Sequence, residues 1–227
     1  MAKSRRRHYR RRRRKTKKRV SKALRHEIYR IVNGDKEQKI VAGTASVTTG
    51  QIGNTWTSPF RLNPDVVRGD DTYNREGNVI RPKMLTLRFY FNNKNTSKPT
   101  WNAVRMLIFR WNIRTSLAIP SAAEMLQTIN NITDDQYTSN AQRRKQFTVF
   151  FDRVINFGGW DGTESATRGG AKFMTLRLNL SRYTIAYDTN SDTNAKGHIY
   201  ALFCNRADTT VDATASVSWT NHMTFTE

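Results

Sequence analysis

The side chains best equipped for chemistry stand at the start of the chain, in MAKSRRRHYRRRRRKTKKR, where thirteen of nineteen residues are Lys or Arg and none is acidic. The chemistry this pattern supports is phosphate neutralisation. A lysine or arginine brought to a phosphate releases a condensed counterion, giving strong, salt-sensitive binding with little regard for base sequence. Through residue 30 arginine outnumbers lysine eleven to five, and a planar guanidinium can grip phosphate with two hydrogen bonds and lie against a base. The candidate phosphate ligands are Arg5, Arg6, Arg7, Arg10, Arg11, Arg12, Arg13, Arg14, Lys15, Lys17, Lys18, Arg19, Lys22 and Arg25. Tyr9, within RRHYRR, either stacks on an unpaired base, a contact open to single strands, or merely rides along. A basic run of this kind also fits an address read by nuclear import factors.

Other chemistry is sparse. His8, His26, His198 and His222 are scattered without metal-ligand spacing and are expected to be surface or strand residues. No nucleophile elbow, phosphate-binding glycine loop or zinc pattern is present. The GDD at 69–71 shares its letters with the metal-binding turn of polymerases, but the chain is too short for one and offers no second acidic motif. Asp70 and Asp71 are expected to hold a turn or to touch a neighbouring subunit, and Asp134 and Asp135 in NITDDQY to hold a turn. Paired carboxylates can bind a hard cation between chains, yet no set of ligands stands out, so the metal ligands stay unassigned. Cys204 is the single cysteine, which leaves no disulfide framework and no multi-cysteine metal cluster. Within HIYALFC it reads as a small buried hydrophobe. The expectation is a protein that is not an enzyme and carries no organic cofactor.

Charge divides the chain. Residues 1–30 hold sixteen bases against Glu27, a net +15 of the formal +21, while the other 197 residues hold twenty-three bases and seventeen acids, a net +6. A run of like charge that dense repels itself and has little to bury, so residues 1–19 are expected to form a disordered arm. The remainder is long enough for one sizeable core. The charged start is not followed by an apolar stretch as in a signal peptide, and no run approaches a membrane span. The expectation is a soluble, intracellularly made protein with no membrane partner.

The elements that must position these residues follow from periodicity. Val20, Leu24, Ile28 and Val32 recur at helical spacing, which predicts a short amphipathic helix in a linker over 20–33 whose apolar stripe needs a partner. From Ile40 the period shifts to two. In MLTLRFYF (84–91), Leu85, Leu87, Phe89 and Phe91 point one way and Thr86, Arg88 and Tyr90 the other. FMTLRLNL (173–180) and ASVSWTNHMTF (215–225) alternate likewise. VRMLIFRW (104–111), FTVFF (147–151) and HIYALFC (198–204) are apolar more continuously, as strands buried on both faces would be. With IVAGTASV (40–47) and TWTSPFRL (55–62) these make eight strands. PSAAEMLQTI (120–129) interrupts them as a helix, with Ser121 as N-cap and Glu124 completing a capping box. The expected fold is all-β: an eight-stranded jelly-roll sandwich over 34–227 with a short helical insertion, preceded by a basic arm and a short helix.

Three stretches carry a family resemblance: VVRGDDTYNREGNVIRPKMLTLRFYF (66–91), VRMLIFRWN (104–112) and AEMLQTINNITDDQYTSNAQRRKQFTVFFDRVINF (123–157). Together with the arm they resemble the capsid proteins of small icosahedral viruses of the satellite-necrosis-virus type, and their relatives in circular single-stranded DNA viruses. Residues 158–227 match only as a pattern of strands. The resemblance implies a jelly roll, sixty copies in the smallest icosahedral (T=1) shell, and an arm that meets the viral genome on the luminal side through Arg5–Arg7, Arg10–Arg14, Lys15 and Lys17–Arg19. It implies that segment 20–32 bundles near the three-fold axes, and that calcium occurs between subunits, here unplaced. It implies a location in the virion, with host cytoplasm and nucleus visited during assembly. The arm is more arginine-dense than the satellite pattern, so the genome stays open as single-stranded DNA or RNA. Two alternatives stand beside this reading. One is a non-assembling nucleic-acid-binding protein with a β core and basic tail. The other is a sugar-binding or enzymatic jelly roll with an import tail, which would need a polar or metal-binding cluster inside the sandwich.

Overall fold

A strand that alternates apolar and polar residues has one face to bury, whereas a continuously apolar strand has two. That difference organises the molecule. The computed structural model describes residues 21, 24, 28, 38–52, 56–71, 73–93, 102–113, 121–127, 137–157, 171–189, 191–205 and 215–227. Contacts divide the chain into units Met1–Glu37 and Gln38–Glu227. The second unit holds strands β1 (Lys39–Ile52), β2 (Phe60–Arg61), β3 (Val79–Asn93), β4 (Asn102–Trp111), β5 (Phe147–Phe157), β6 (Ala171–Asn179), β7 (Ile185–Tyr187), β8 (Ala195–Lys196), β9 (Ile199–Asn205) and β10 (Ala215–Thr226).

These strands form two antiparallel sheets. One runs β1-β10-β3, with β3 pairing β6 along most of its length and the short β7-β8 pair at its start; the other runs β2-β9-β4-β5. Apart from β4-β5 and β7-β8, neighbours in the sheets are not consecutive in sequence, and the chain crosses repeatedly between layers, which is the jelly-roll arrangement of an all-β protein. Each of the eight expected strands occurs, although TWTSPFRL contributes only the two paired residues of β2. The short β7 and β8, and a helix at Ala141–Gln146 capped by Asn140, were not expected.

The alternating strands β3, β6 and β10 lie in the first sheet. Leu85, Leu87, Phe89 and Phe91 of β3 and Val217, Trp219, Met223 and Phe225 of β10 point into the sandwich, against Val104, Met106 and Ile108 of β4 and Ala201 and Phe203 of β9. Aromatic rings knot the centre. Trp219 lies with its ring centroid 5.8 Å from Phe60 and 6.3 Å from both Phe89 and Phe203. A tie between layers comes from Asn221, whose Nδ2 donates to the Leu62 carbonyl at 2.6 Å.

The continuous strands β4 and β9 lie in the second sheet, whose other face is covered as well. There Leu107, Phe109, Trp111, Tyr200 and Leu202 pack with Ala122, Met125 and Leu126. Phe147 of β5 joins this second cluster, but Thr148–Phe151 are only half-buried because β5 is an edge strand. The expected helix over PSAAEMLQTI is one turn, α1 (Ala122–Met125), with the Glu124 carboxylate accepting the Ser121 N–H at 2.8 Å. It stops at Leu126, which turns extended and bridges to Tyr137. Burying Met125 and Leu126 on the sheet wins over helical propensity. The second helix is α2 (Ala141–Gln146).

Candidate functional site

The arm ligands Arg5, Arg6, Arg7, Arg10–Arg14, Lys15, Lys17, Lys18, Arg19, Lys22 and Arg25 lie outside the described residues, as do Asp134 and Asp135. Of the expected helix at 20–33, Leu24 and Ile28 are described. Both are helical, one turn apart, 53 % and 50 % exposed, and Ser21 Oγ accepts the Leu24 N–H at 3.1 Å as an N-cap would.

Among the described residues, the outward face of the first sheet gathers the most chemistry. Thr86, Arg88 and Tyr90 of β3 stand beside Ser218, Thr220 and His222 of β10 on one side, and Phe173, Thr175 and Arg177 of β6 on the other. Arg88 lies opposite Thr175, Thr86 opposite Arg177 and Tyr90 opposite Phe173. Phe173 is 80 % exposed, and its ring lies 4.6 Å from that of Tyr90 at an interplanar angle of 34°. Shallow depressions run over this face, between Thr44, Arg88 and Thr220 and towards Arg177 and His222. The alternation in MLTLRFYF and FMTLRLNL places these side chains on one face. The missed signal was Phe173, a large apolar residue in the polar phase of its strand.

Three buried polar groups hold the scaffold. Arg75, 1 % exposed, donates from Nε to the Val66 carbonyl at 3.1 Å, from Nη1 to the Gly77 carbonyl at 2.6 Å, and from Nη2 to Asp192 Oδ1 at 2.7 Å, with its guanidinium 4.3 Å over the Tyr187 ring. Arg105 of β4 grips Asp152 of β5 with both prongs, at 2.8 and 2.7 Å, and the Tyr137 hydroxyl donates to the same carboxylate. Burial raises the Asp152 pKa, but the hydrogen bonds from Arg105 and Tyr137 and the Arg105 charge more than reverse it, leaving it below the ordinary carboxylate value. Burial is also the largest reason the Tyr137 hydroxyl is pushed up.

His198 is the third, and it is fully buried just before β9. Asn63 Oδ1 accepts the Ile199 N–H at 2.9 Å, which turns the Asn63 amide nitrogen towards His198 Nδ1 at 3.0 Å. Nδ1 must therefore accept, and Nε2–H donates to the Thr193 carbonyl at 2.9 Å. Burial, with the nearby Arg61 charge, lowers its pKa to about 4. Neutral and sequestered, His198 is a structural pin. Next to it Gly197 has φ +96°, and a Cβ there would meet the Thr184 carbonyl oxygen at 2.5 Å, so the turn into β9 requires glycine.

The remaining expectations are local. Asp71 holds a turn, accepting from Asn74 N–H at 2.9 Å and from its side chain at 3.2 Å. Cys204 is fully buried, and burial pushes its thiol up to about 11, away from a reactive thiolate. Among the described residues of one chain, no three His, Cys, Asp or Glu side chains gather where they could hold a metal ion; a calcium shared between subunits would draw ligands from more than one chain. No described helix is long and apolar enough to cross a membrane.

Two antiparallel sheets packed face to face, with buried polar groups pinning loops and strands, define the class: an all-β jelly roll. The family model for the satellite tobacco necrosis virus coat protein matches residues 9–222, nearly the whole chain. The chain belongs to that coat protein family, and is therefore a viral structural protein of the virion. No curated protein matches it.

Proposed function

We propose that this coat protein closes into a sixty-copy, T=1 icosahedral shell and packages single-stranded DNA or RNA through residues 1–25. The observation that carries the reading is a net +15 confined to the first thirty residues of a chain matched to a coat protein family over 9–222. Sixty such segments would bring roughly 900 positive charges to one cavity, enough to neutralise a genome on the order of a thousand nucleotides, the rest being left to small cations. Assembly takes place in host cytoplasm or nucleus, and the arginine run doubles as a contact for import factors.

Electron microscopy of the purified chain tests the shell, and nuclease typing of the extracted contents tests the cargo. Uniform particles tens of nanometres across, carrying nuclease-sensitive material, are expected. Deleting residues 1–19 should leave the sandwich folded and remove the nucleic acid. Persistent monomers at low and high salt would favour a nucleic-acid-binding protein that does not assemble.

A further inference from the structure

We propose that the open face of β1-β10-β3-β6 is itself a binding surface for single-stranded nucleic acid, with Arg88 and Arg177 on phosphates and the Tyr90–Phe173 pair stacked on a base. The inference rests on the reading that the chain encloses a genome. It adds to the basic residues at the start of the chain a base platform fixed on paired strands.

Charge is the first argument. None of the four strands contains an Asp or Glu. Lys39, the buried base of β1, is spent on Glu76 at 3.3 Å and Glu227 at 3.9 Å. By contrast Arg88 and Arg177 are exposed and, among the described residues, the side chain of neither makes a hydrogen bond or ion pair. They occupy diagonal positions on paired strands, on the order of 7–8 Å apart at the backbone, within reach of successive phosphates on one strand.

The aromatic pair is the second argument, and it is independent of charge. Phe173 is 80 % exposed, and the exposed Ile40 of the same face stands on β1 in the row of Thr224, six residues along the strands from the row of Phe173, Tyr90 and Ser218, so the two form no contiguous apolar patch to anchor a protein contact. Tilted 34° to the Tyr90 ring at 4.6 Å, the exposed Phe173 ring is open to a base, and every base has a π-face to meet it. Tyr90 follows Arg88 by two residues on the same face of β3, so the stacking ring and a phosphate ligand are adjacent.

Charge also selects the occupant. The chain's own first thirty residues carry net +15 and share the sign of this face. A second copy joined face to face would set arginine against arginine. A polyanion with bases satisfies both features at once.

The test uses the full chain, fluorescein-labelled oligothymidylate of about twenty nucleotides and, as a polyanion without bases, heparin. Ultraviolet crosslinking with mass spectrometry should place thymine adducts on the peptides holding Tyr90 or Phe173. Phe173→Ala should weaken oligothymidylate binding roughly tenfold and leave heparin unchanged, and Phe173→Trp should restore it. Replacing Arg88 and Arg177 together by Ala should lower the slope of log affinity against log salt by about 1.4, two phosphate contacts on a single strand. Thr175→Glu, which sets a carboxylate opposite Arg88, should act in the same direction. All these positions are exposed, and circular dichroism checks that each variant is folded. Retained binding with an unchanged slope and no adduct on β3 or β6 overturns this inference and leaves packaging by the arm intact. A change in assembly without a change in binding overturns it too, by marking the face as a protein contact. Failure of the full chain to bind either probe sinks both readings.

Discussion

His198 shows how much chemistry a single side chain can lose to its surroundings. Its Nδ1 faces an amide that can only donate, so a second ring proton has no acceptor there. In the folded chain its pKa is about 4, and unfolded it returns to about 6.5. Between these values the unfolded state binds the extra proton, so stability is whole near neutrality and falls as pH drops. The loss should reach about 2 kcal/mol by pH 5, at 1.36 kcal/mol per unit of pH. Urea denaturation at pH 7 and pH 5 measures it, and His198→Gln should flatten that dependence while lowering stability at pH 7. Asp152 has the depressed pKa usual for a paired carboxyl. Its contribution is present above the ordinary carboxylate range and disappears as pH falls through and below it. Asp152→Asn takes away the charged carboxylate that Arg105 grips with both prongs and to which Tyr137 donates, and should cost about 3 kcal/mol at neutral pH, again read by urea denaturation. Neither residue declared itself in the sequence. An isolated histidine in HIYALFC and an arginine in VRMLIFRW look like ordinary strand residues, because burial and pairing across β4 and β5 are settled only in three dimensions.

At the scale of the element, the two kinds of strand were legible. Alternation in MLTLRFYF and ASVSWTNHMTF marked the sheet with one wet face, and continuity in HIYALFC marked the sheet covered on both. Continuity failed for FTVFF, whose position at the sheet edge leaves it half-buried. The helix at PSAAEMLQTI was overread past Met125 because Leu126 serves a bridge with Tyr137. The helix at Ala141–Gln146 was missed although Asn140, followed by Ala-Gln-Arg-Arg-Lys-Gln, is a cap before strong helix formers. The aromatic knot between the sheets yields the prediction at this scale. Trp219→Ala removes a ring that touches Phe60, Phe89 and Phe203 from both layers. It should cost roughly 3–5 kcal/mol, with a fall in melting temperature measured by calorimetry. Thr220→Ala, one residue away on the open face, should shift it little.

For the whole molecule, composition alone divided a basic leader from a nearly balanced body, and the jelly roll followed from strand count and rhythm. Which sheet face stays bare was implicit in the alternation, but its exposed arginines and neighbouring rings became a surface only when β6 and β10 were brought to β3. One further feature matters for anyone building on this scaffold. Lys39 opens β1 opposite Phe225, and its ammonium reaches Glu227, which also accepts the Glu76 N–H at 2.6 Å. The entrance and exit of the body are thus neighbours, so a passenger peptide grafted after Glu227 leaves from the same corner at which the leader joins. In a shell whose leader points inward, such a graft should be sheltered from added protease until the particle is opened, and digestion before and after disruption would reveal it.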